Sequence, residues 1–174
     1  GDSWQYMFLD NVGYYYNKVV RIGDVDIILS TLWSHIREEN EVSLFRGMND
    51  FCQILYDKHR LRIEDFNVEH KKCLAFIKQS VLESTAKHIV VVTHHLPTLQ
   101  VVAEERINDS MNNTYVTELG NFIANSQIDY WIYGHSHENI NTEIGVTKII
   151  SNQLGYLLNG EQIEGFSTSR FIEL

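Results

Sequence analysis

The chain is short of positive charge, and this shortage excludes a class of partners. Lysine and arginine number 14 against 23 aspartate and glutamate residues, which gives a formal net charge of −9. A protein that binds the phosphate backbone of nucleic acids needs a basic stripe, so we predict no general nucleic-acid binding. An anionic substrate can still be held where a bound cation reverses the local charge.

Cysteine and long apolar runs are scarce as well. Cys52 and Cys73 are too few for a disulfide framework, which predicts a reducing, cytoplasmic location. No run approaches the roughly 18 apolar residues of a membrane span, and no charged-then-apolar leader opens the chain, so we predict no membrane partner. A length of 174 residues suits a single domain over residues 1–174.

An apolar run that ends at a glycine is followed by two histidines. Tyr130–Tyr133 predicts a buried strand, and Gly134 begins the polar loop that carries His135 and His137. On a continuing strand the two histidines would share a face. Gly134 permits backbone angles that other residues avoid, so the loop could turn both imidazoles toward one point. Imidazole is the commonest neutral metal ligand, and the plain alternative is two partly exposed histidines on a turn.

A second β-rich run, Ile89–Thr93, also ends in two histidines, His94 and His95, just before the single proline. Between the runs, Thr114 is the predicted N-cap of a helix whose apolar residues recur at helical spacing: Tyr115, Val116, Leu119, Phe122 and Ile123. Strand, helix and strand in this order predict a parallel unit. Both histidine pairs would then lie at the carboxyl ends of parallel strands, where open α/β sheets build their sites.

The other elements are predicted from periodicity and turn signals. Strands are expected over 14–20 and 25–32, a helix over 67–83, a hairpin over 139–151 and an edge strand over 170–174. Residues 34–66 are harder to assign and carry a short predicted helix over 49–56. They could form a cap or lid over the site. His35 could face the site, whereas His70 is expected on the helix surface.

Together, the motif VVVTHHLP over residues 90–97 and the motif IYGHSH over residues 132–137 resemble the last two motifs of the calcineurin-like metallophosphoesterases. The resemblance covers residues 67–158 and implies an α/β fold, a four-layer α-β-β-α sandwich of mixed sheets flanked by helices. It implies phosphoric ester hydrolysis at a dinuclear site of Mn, Fe or Zn. His94 and His135 would ligate one metal and His137 the other, while His95 would face the pocket or support a ligand.

The earlier motifs of that family, Asp-x-His, Gly-Asp-x-x-Asp and Gly-Asn-His-Asp/Glu, are absent from the sequence. In the family they supply carboxylate ligands and the histidine thought to protonate the leaving group, so no catalytic acid can be assigned. The expectation is an N-terminally truncated metallophosphoesterase domain with partial or no metal occupancy and little or no activity. Missing leading strands would expose a sheet edge, through which a homodimer is predicted.

Two alternatives stay open. The chain could be a metal-free interaction scaffold with a phosphoesterase-like fold. It could also be a mononuclear zinc hydrolase with three histidines and an open fourth position. Metal stoichiometry separates the hypotheses, because a scaffold would bind no ion.

Overall fold

The computed structural model describes residues 2–40, 44 and 48–174. Its strands are β1 (Trp4–Leu9), β2 (Val12–Tyr16), β3 (Lys18–Ile22), β4 (Val25–Ser30), β5 (Leu55–Tyr56), β6 (His59–Arg60), β7 (His88–Thr93), β8 (Tyr130–Ile132), β9 (Thr142–Ile144) and β10 (Thr147–Ile150). The α-helices are α1 (Asp50–Gln53), α2 (Ile63–Glu83) and α3 (Gly120–Ala124). Short 3-10 turns occur at Glu38–Asn40, Leu99–Val101, Glu104–Arg106, Ser110–Thr114 and Leu157–Asn159.

A six-stranded mixed sheet in the order β3-β4-β7-β8-β10-β9 forms the centre of this α/β fold. Strands β4, β7, β8 and β10 run parallel to one another, and β3 and β9 close the two edges in antiparallel pairing. The predicted parallel arrangement of the two histidine-bearing strands is therefore confirmed. The four-layer sandwich stays a prediction.

One row of side chains crosses the sheet and forms its core. Ile28, Val91, Trp131 and Ile149 are aligned by strand register and are fully buried. Ile77 of α2 and Ile123 of α3 belong to the same core. Both helices therefore contribute to the packing that holds the four central strands, and these strands in turn fix the positions of the loops that leave them.

Helix α2 begins four residues before the predicted start. Its first turn is capped by Asp65, whose carboxylate accepts the Arg62 N–H at 3.0 Å. The predicted cap, Asn67, instead exchanges two hydrogen bonds with the backbone of Ile36. His70 is buried rather than on the surface, because its Nδ1 donates to the Trp33 carbonyl at 2.6 Å.

The helix predicted from Thr114 is wrong over its first half. Residues 115–119 are irregular, and only α3 is helical. The cause is a competing set of backbone hydrogen bonds: Leu96 donates to the Tyr115 carbonyl at 2.9 Å and accepts from Thr117 at 2.9 Å. These bonds use groups that a helix would have paired internally. The Thr114 hydroxyl donates to the Met111 carbonyl and caps no helix.

Three further expectations need correction. The strand over 14–20 is broken at Asn17, which takes a left-handed backbone (φ 48°) and accepts a hydrogen bond from Ser30. The helix predicted over 49–56 shrinks to α1, with Phe51 buried. No strand forms over 170–174, because Arg170 anchors the tail by donating to the Ser151 carbonyl at 2.8 Å. The hairpin at Gly145 is confirmed.

The predicted lid, residues 34–66, includes residues 41–43 and 45–47, which lie outside the described residues. Its described part contributes to a small second core, with Phe51 and Leu61 packed near Phe66 of α2. Among the described residues, no helix is both long and apolar enough to cross a membrane. The homodimer stays a prediction.

Candidate metal centre

The loops after β7 and β8 are joined at the carboxyl ends of their strands. The register pairs Val92 with Ile132, and two residues further on the Gly134 N–H donates to the His94 carbonyl at 3.1 Å. A second bond, from the His95 N–H to the Thr31 carbonyl at 3.1 Å, ties the same loop to the end of β4. The sheet therefore fixes the backbone of both histidine-bearing loops.

Three histidines converge at this point. One ring nitrogen from each of His94, His95 and His135 lies within 4.8 Å of the other two. His135 Nδ1 and His94 Nε2 are 3.0 Å apart. Two nitrogens that ligate one tetrahedral zinc ion at about 2.0–2.1 Å are separated by about 3.3–3.4 Å. The two rings are at hydrogen-bond distance, and they would have to move apart by only a few tenths of an ångström to ligate one ion.

The three rings are held in the neutral state. Burial, followed by the neighbouring imidazoles, lowers the pKa of His95 well below its ordinary value and that of His135 to about 4. The pKa of His94 is lowered for the same reason. Neutral imidazoles keep a lone pair, which is the form that binds metal. His94 and His135 retain solvent-exposed surface, so an ion can reach the cluster.

His95 carries a polar atom with no partner in the described part of the chain. The residue is 4% exposed, and its Nδ1 is buried without a hydrogen bond. A buried polar group left unpaired costs about 1–3 kcal/mol, so such an atom calls for an explanation. Together with the two neighbouring rings, it forms a group of ring nitrogens that could hold a metal ion.

The loop after β8 obtains its shape from the histidines themselves. His135 and His137 both have left-handed backbones, with φ of 74° and 56°, whereas Gly134 does not have a positive φ. The prediction that Gly134 supplies the unusual angle is therefore wrong. Non-glycine residues in this region carry strain, which is concentrated at functional sites.

Aromatic side chains and one threonine support the cluster. The Trp33 ring lies 5.6 Å from the His95 ring, and the Tyr115 ring lies 5.3 Å from the His135 ring. The Thr93 hydroxyl donates to the His95 carbonyl at 2.8 Å and accepts from the Trp131 indole at 3.0 Å. These contacts restrict the rings and shield one side of the cluster from water.

His137, predicted as a ligand of a second metal, is not one of the three clustered histidines, although it lies close enough to them to lower the pKa of His94 and His135. Its Nδ1 is 2.9 Å from a carboxylate oxygen of Glu161, and its ring packs edge-on against Tyr156 at 4.5 Å. Because a carboxylate only accepts, Nδ1 carries the proton and Nε2 keeps a lone pair in the neutral ring. Metal-binding histidines in proteins are commonly oriented in this way by a carboxylate.

Sequence reasoning missed two carboxylates near these histidines. Asp50, on α1, raises the pKa of both His94 and His135, although the lowering by burial is larger. Glu161 lies 24 residues beyond His137, and its own pKa is lowered by the Tyr156 N–H and by His137. Neither residue belongs to a sequence motif, so its acidic side chain is the one feature of the sequence that could have suggested a role at the site. His35, by contrast, packs on His70 at 5.6 Å and is not one of the clustered histidines.

Comparison with known proteins found a similar protein but no matching family. No family model matches the chain. The chain is similar to Uncharacterized protein L509 of Acanthamoeba polyphaga mimivirus, with 29% identity over 150 residues that cover 80% of this chain and 53% of that protein. The chain thus spans about half the length of this relative, whose name states no activity.

Proposed function

We propose that this chain is a metal-dependent phosphoric ester hydrolase of the calcineurin-like metallophosphoesterase type. The observation that carries the proposal is the convergence of His94, His95 and His135 at the ends of two neighbouring parallel strands. In the proposed fold, the six-stranded sheet and its helices form one half of a four-layer α-β-β-α sandwich.

The residues present fit a first cation well and a second one in part. His94, His95 and His135 would hold the first, and the unpartnered, buried Nδ1 of His95 supports this assignment. His137 would contribute to the second through Nε2, since Glu161 fixes its Nδ1. Divalent cations bound there would supply Lewis-acid catalysis for the hydrolysis of a phosphate ester.

The described residues around the cluster would bind and position the ester. Trp33 and Tyr115 form apolar walls that limit water beside the rings. His94 and His135 stay neutral at pH 7, so they add no charge that would compete with a cation. Because the family's carboxylate motifs are absent from the sequence, we expect low turnover from this chain by itself.

Metal stoichiometry and turnover together test the proposal. The protein is dialysed against Mn²⁺ or Zn²⁺, bound metal is counted by elemental analysis, and hydrolysis of a chromogenic phosphodiester is followed. We expect more than one ion per chain at saturation and a slow, metal-dependent hydrolysis that His94→Ala abolishes. His59→Ala, outside the cluster, is the matched control and should leave both quantities unchanged. Absence of bound metal would overturn the proposal in favour of an interaction scaffold.

A mononuclear three-histidine zinc hydrolase is the second candidate. It is favoured by the compactness of the cluster, in which nitrogens of three histidines lie within 4.8 Å of one another, and by the pairing of His137 with Glu161 outside that group. Three imidazoles and an open fourth position are a known catalytic zinc arrangement. This candidate predicts one tightly held ion per chain, with a stoichiometry that His137→Ala leaves at one.

A further inference from the structure

A cavity separate from the histidine cluster opens between α2 and residues 99–119. Its volume is about 440 Å³, which lies in the range of small-molecule sites. His35 and His70 line it, while none of the three clustered histidines belongs to its described walls. The cavity is therefore a distinct space with its own lining.

The charged groups of the cavity favour an anion. Arg37 and Lys78 line it together with Glu118. Both Glu118 oxygens are occupied, because Thr98 Oγ1 and the Leu99 and Gly120 N–H groups donate to them. In the described part of the chain, Lys78 has no ion pair, although its Nζ lies 5.8 Å from the centre of the Phe122 ring. The ion pair of Arg37 is an exposed contact with Glu39 at 3.9 Å. This acidic protein thus has two cations at one cavity that no close carboxylate among the described residues neutralises.

The rest of the lining is apolar, with one unpartnered hydroxyl. The apolar residues are Leu74, Leu99, Val116 and Leu119. Thr117 lines the cavity as well and is 8% exposed, and its Oγ1 is buried without a hydrogen bond among the described residues. A ligand group that reaches this hydroxyl would satisfy it. Cations beside an apolar wall suit a ligand that has an apolar body and one anionic group.

Two contacts connect the cavity to the histidine cluster without merging the two sites. The Trp33 carbonyl holds His70 of the cavity, while the Trp33 ring packs against His95. Tyr115, which packs on His135, donates a hydrogen bond at 2.8 Å to Asn112 of the cavity wall. Two residues that pack on the cluster are therefore each hydrogen-bonded to a residue of the cavity wall.

We propose that this cavity is a second ligand site, which binds a small organic anion carrying an apolar group and a phosphate or carboxylate. Arg37 and Lys78 bind the anionic group, Thr117 donates to it, and the leucines pack against the apolar group. The proposal does not depend on the metal-dependent hydrolysis, because no residue of the histidine cluster takes part in binding.

Binding of two simple probes tests the inference. Phenyl phosphate and benzoate are titrated into metal-free protein by calorimetry, with benzyl alcohol as the uncharged analogue. We expect one or both anions to bind at one site per chain and the alcohol to bind at least about tenfold more weakly. The anion that binds identifies the acidic group. Failure of both anions to bind overturns the proposal.

Matched variants locate the site. Lys78→Gln should weaken binding by about tenfold, whereas Lys71→Gln, on an exposed position of the same helix, should leave it unchanged. Thr117→Val should weaken binding without lowering the melting temperature, because the hydroxyl has no partner in the free protein. His135→Ala should bind the probe normally. Loss of binding in His135→Ala, or full binding in Lys78→Gln, contradicts the proposal.

Discussion

Two neighbouring histidine environments at the end of β8 differ in how their rings are held. His135 is held by other imidazoles, with His94 Nε2 at 3.0 Å and the His95 ring at 4.7 Å. His137, two residues further along, is held by the carboxylate of Glu161. The first arrangement gathers lone pairs at one point, whereas the second fixes the proton of a single ring.

The difference shows that one short motif can place two histidines in environments that suit metal binding in different ways. A cluster of neutral rings can hold an ion by itself but has no charge to offset that of the cation. A ring oriented by a carboxylate is a more basic ligand, yet it needs further partners to bind an ion tightly. Variants of each environment should therefore affect different metal-binding events.

The largest expected effect comes from removing a cluster ring. His135→Ala should lower the affinity for the tighter-bound Zn²⁺ by more than about 100-fold, because one of three converging ligands is lost. His137→Ala should leave that first affinity within about threefold of the wild type and reduce only weaker binding. Competition with a chromophoric chelator measures both affinities. Equal losses in the two variants would show that the two environments form a single site.

The next effect concerns the orientation of His137. Glu161→Gln removes the carboxylate that accepts from Nδ1 and should lower the affinity for the weaker-bound ion by about 10- to 100-fold, with the first affinity unchanged. Glu164→Gln, at an exposed position of the same tail, is the control for the loss of charge. An identical loss in both variants would mean that overall charge, and not the hydrogen bond, sets the affinity.

A smaller effect is expected from the support beneath the cluster. Thr93→Val keeps the shape of the side chain but leaves the buried Trp131 indole N–H without its acceptor. The free energy of unfolding should fall by about 1–3 kcal/mol, as for other buried donors left unpaired. Urea denaturation measures this change. A neutral result would show that another acceptor reaches the indole.

The strands that carry the histidines could be predicted because local sequence determines them. Apolar runs bounded by polar loops indicated β7 and β8, and the order of elements indicated their parallel pairing. The position of His94 beside His135 followed from that pairing, since parallel strands bring their carboxyl ends to one edge. The grouping of His95 with them did not follow, because it depends on the bonds from His95 to Thr31 and Thr93.

Long-range hydrogen bonds explain most of what the sequence did not reveal. The predicted helix from Thr114 failed because Leu96, about 20 residues earlier, pairs with the same backbone. His70 looked like a surface residue because its partner, the Trp33 carbonyl, lies 37 residues away. Glu161 reaches His137 across a tail without regular pattern. Periodicity in the sequence indicates which face of a helix or strand is apolar, but it does not identify hydrogen-bond partners that are distant along the chain.

The smallest effect should be the contribution of a single cluster ring to the pH dependence of stability, which tests the neutrality of the cluster. The pKa of His95 is lowered well below that of an unfolded histidine, about 6.5, and the pKa of His135 is lowered to about 4. Below pH 6.5 the unfolded chain therefore binds more protons than the folded one. The free energy of unfolding thus decreases as the pH is lowered, until the pH passes below the pKa of the folded state. Carboxylates contribute little between pH 5 and 6.5, which isolates the histidines. Urea midpoints of the metal-free protein should fall across this window, and less so for His135→Ala. A flat profile would mean that the folded rings take up protons as readily as those of the unfolded chain, so that their pKa is not lowered.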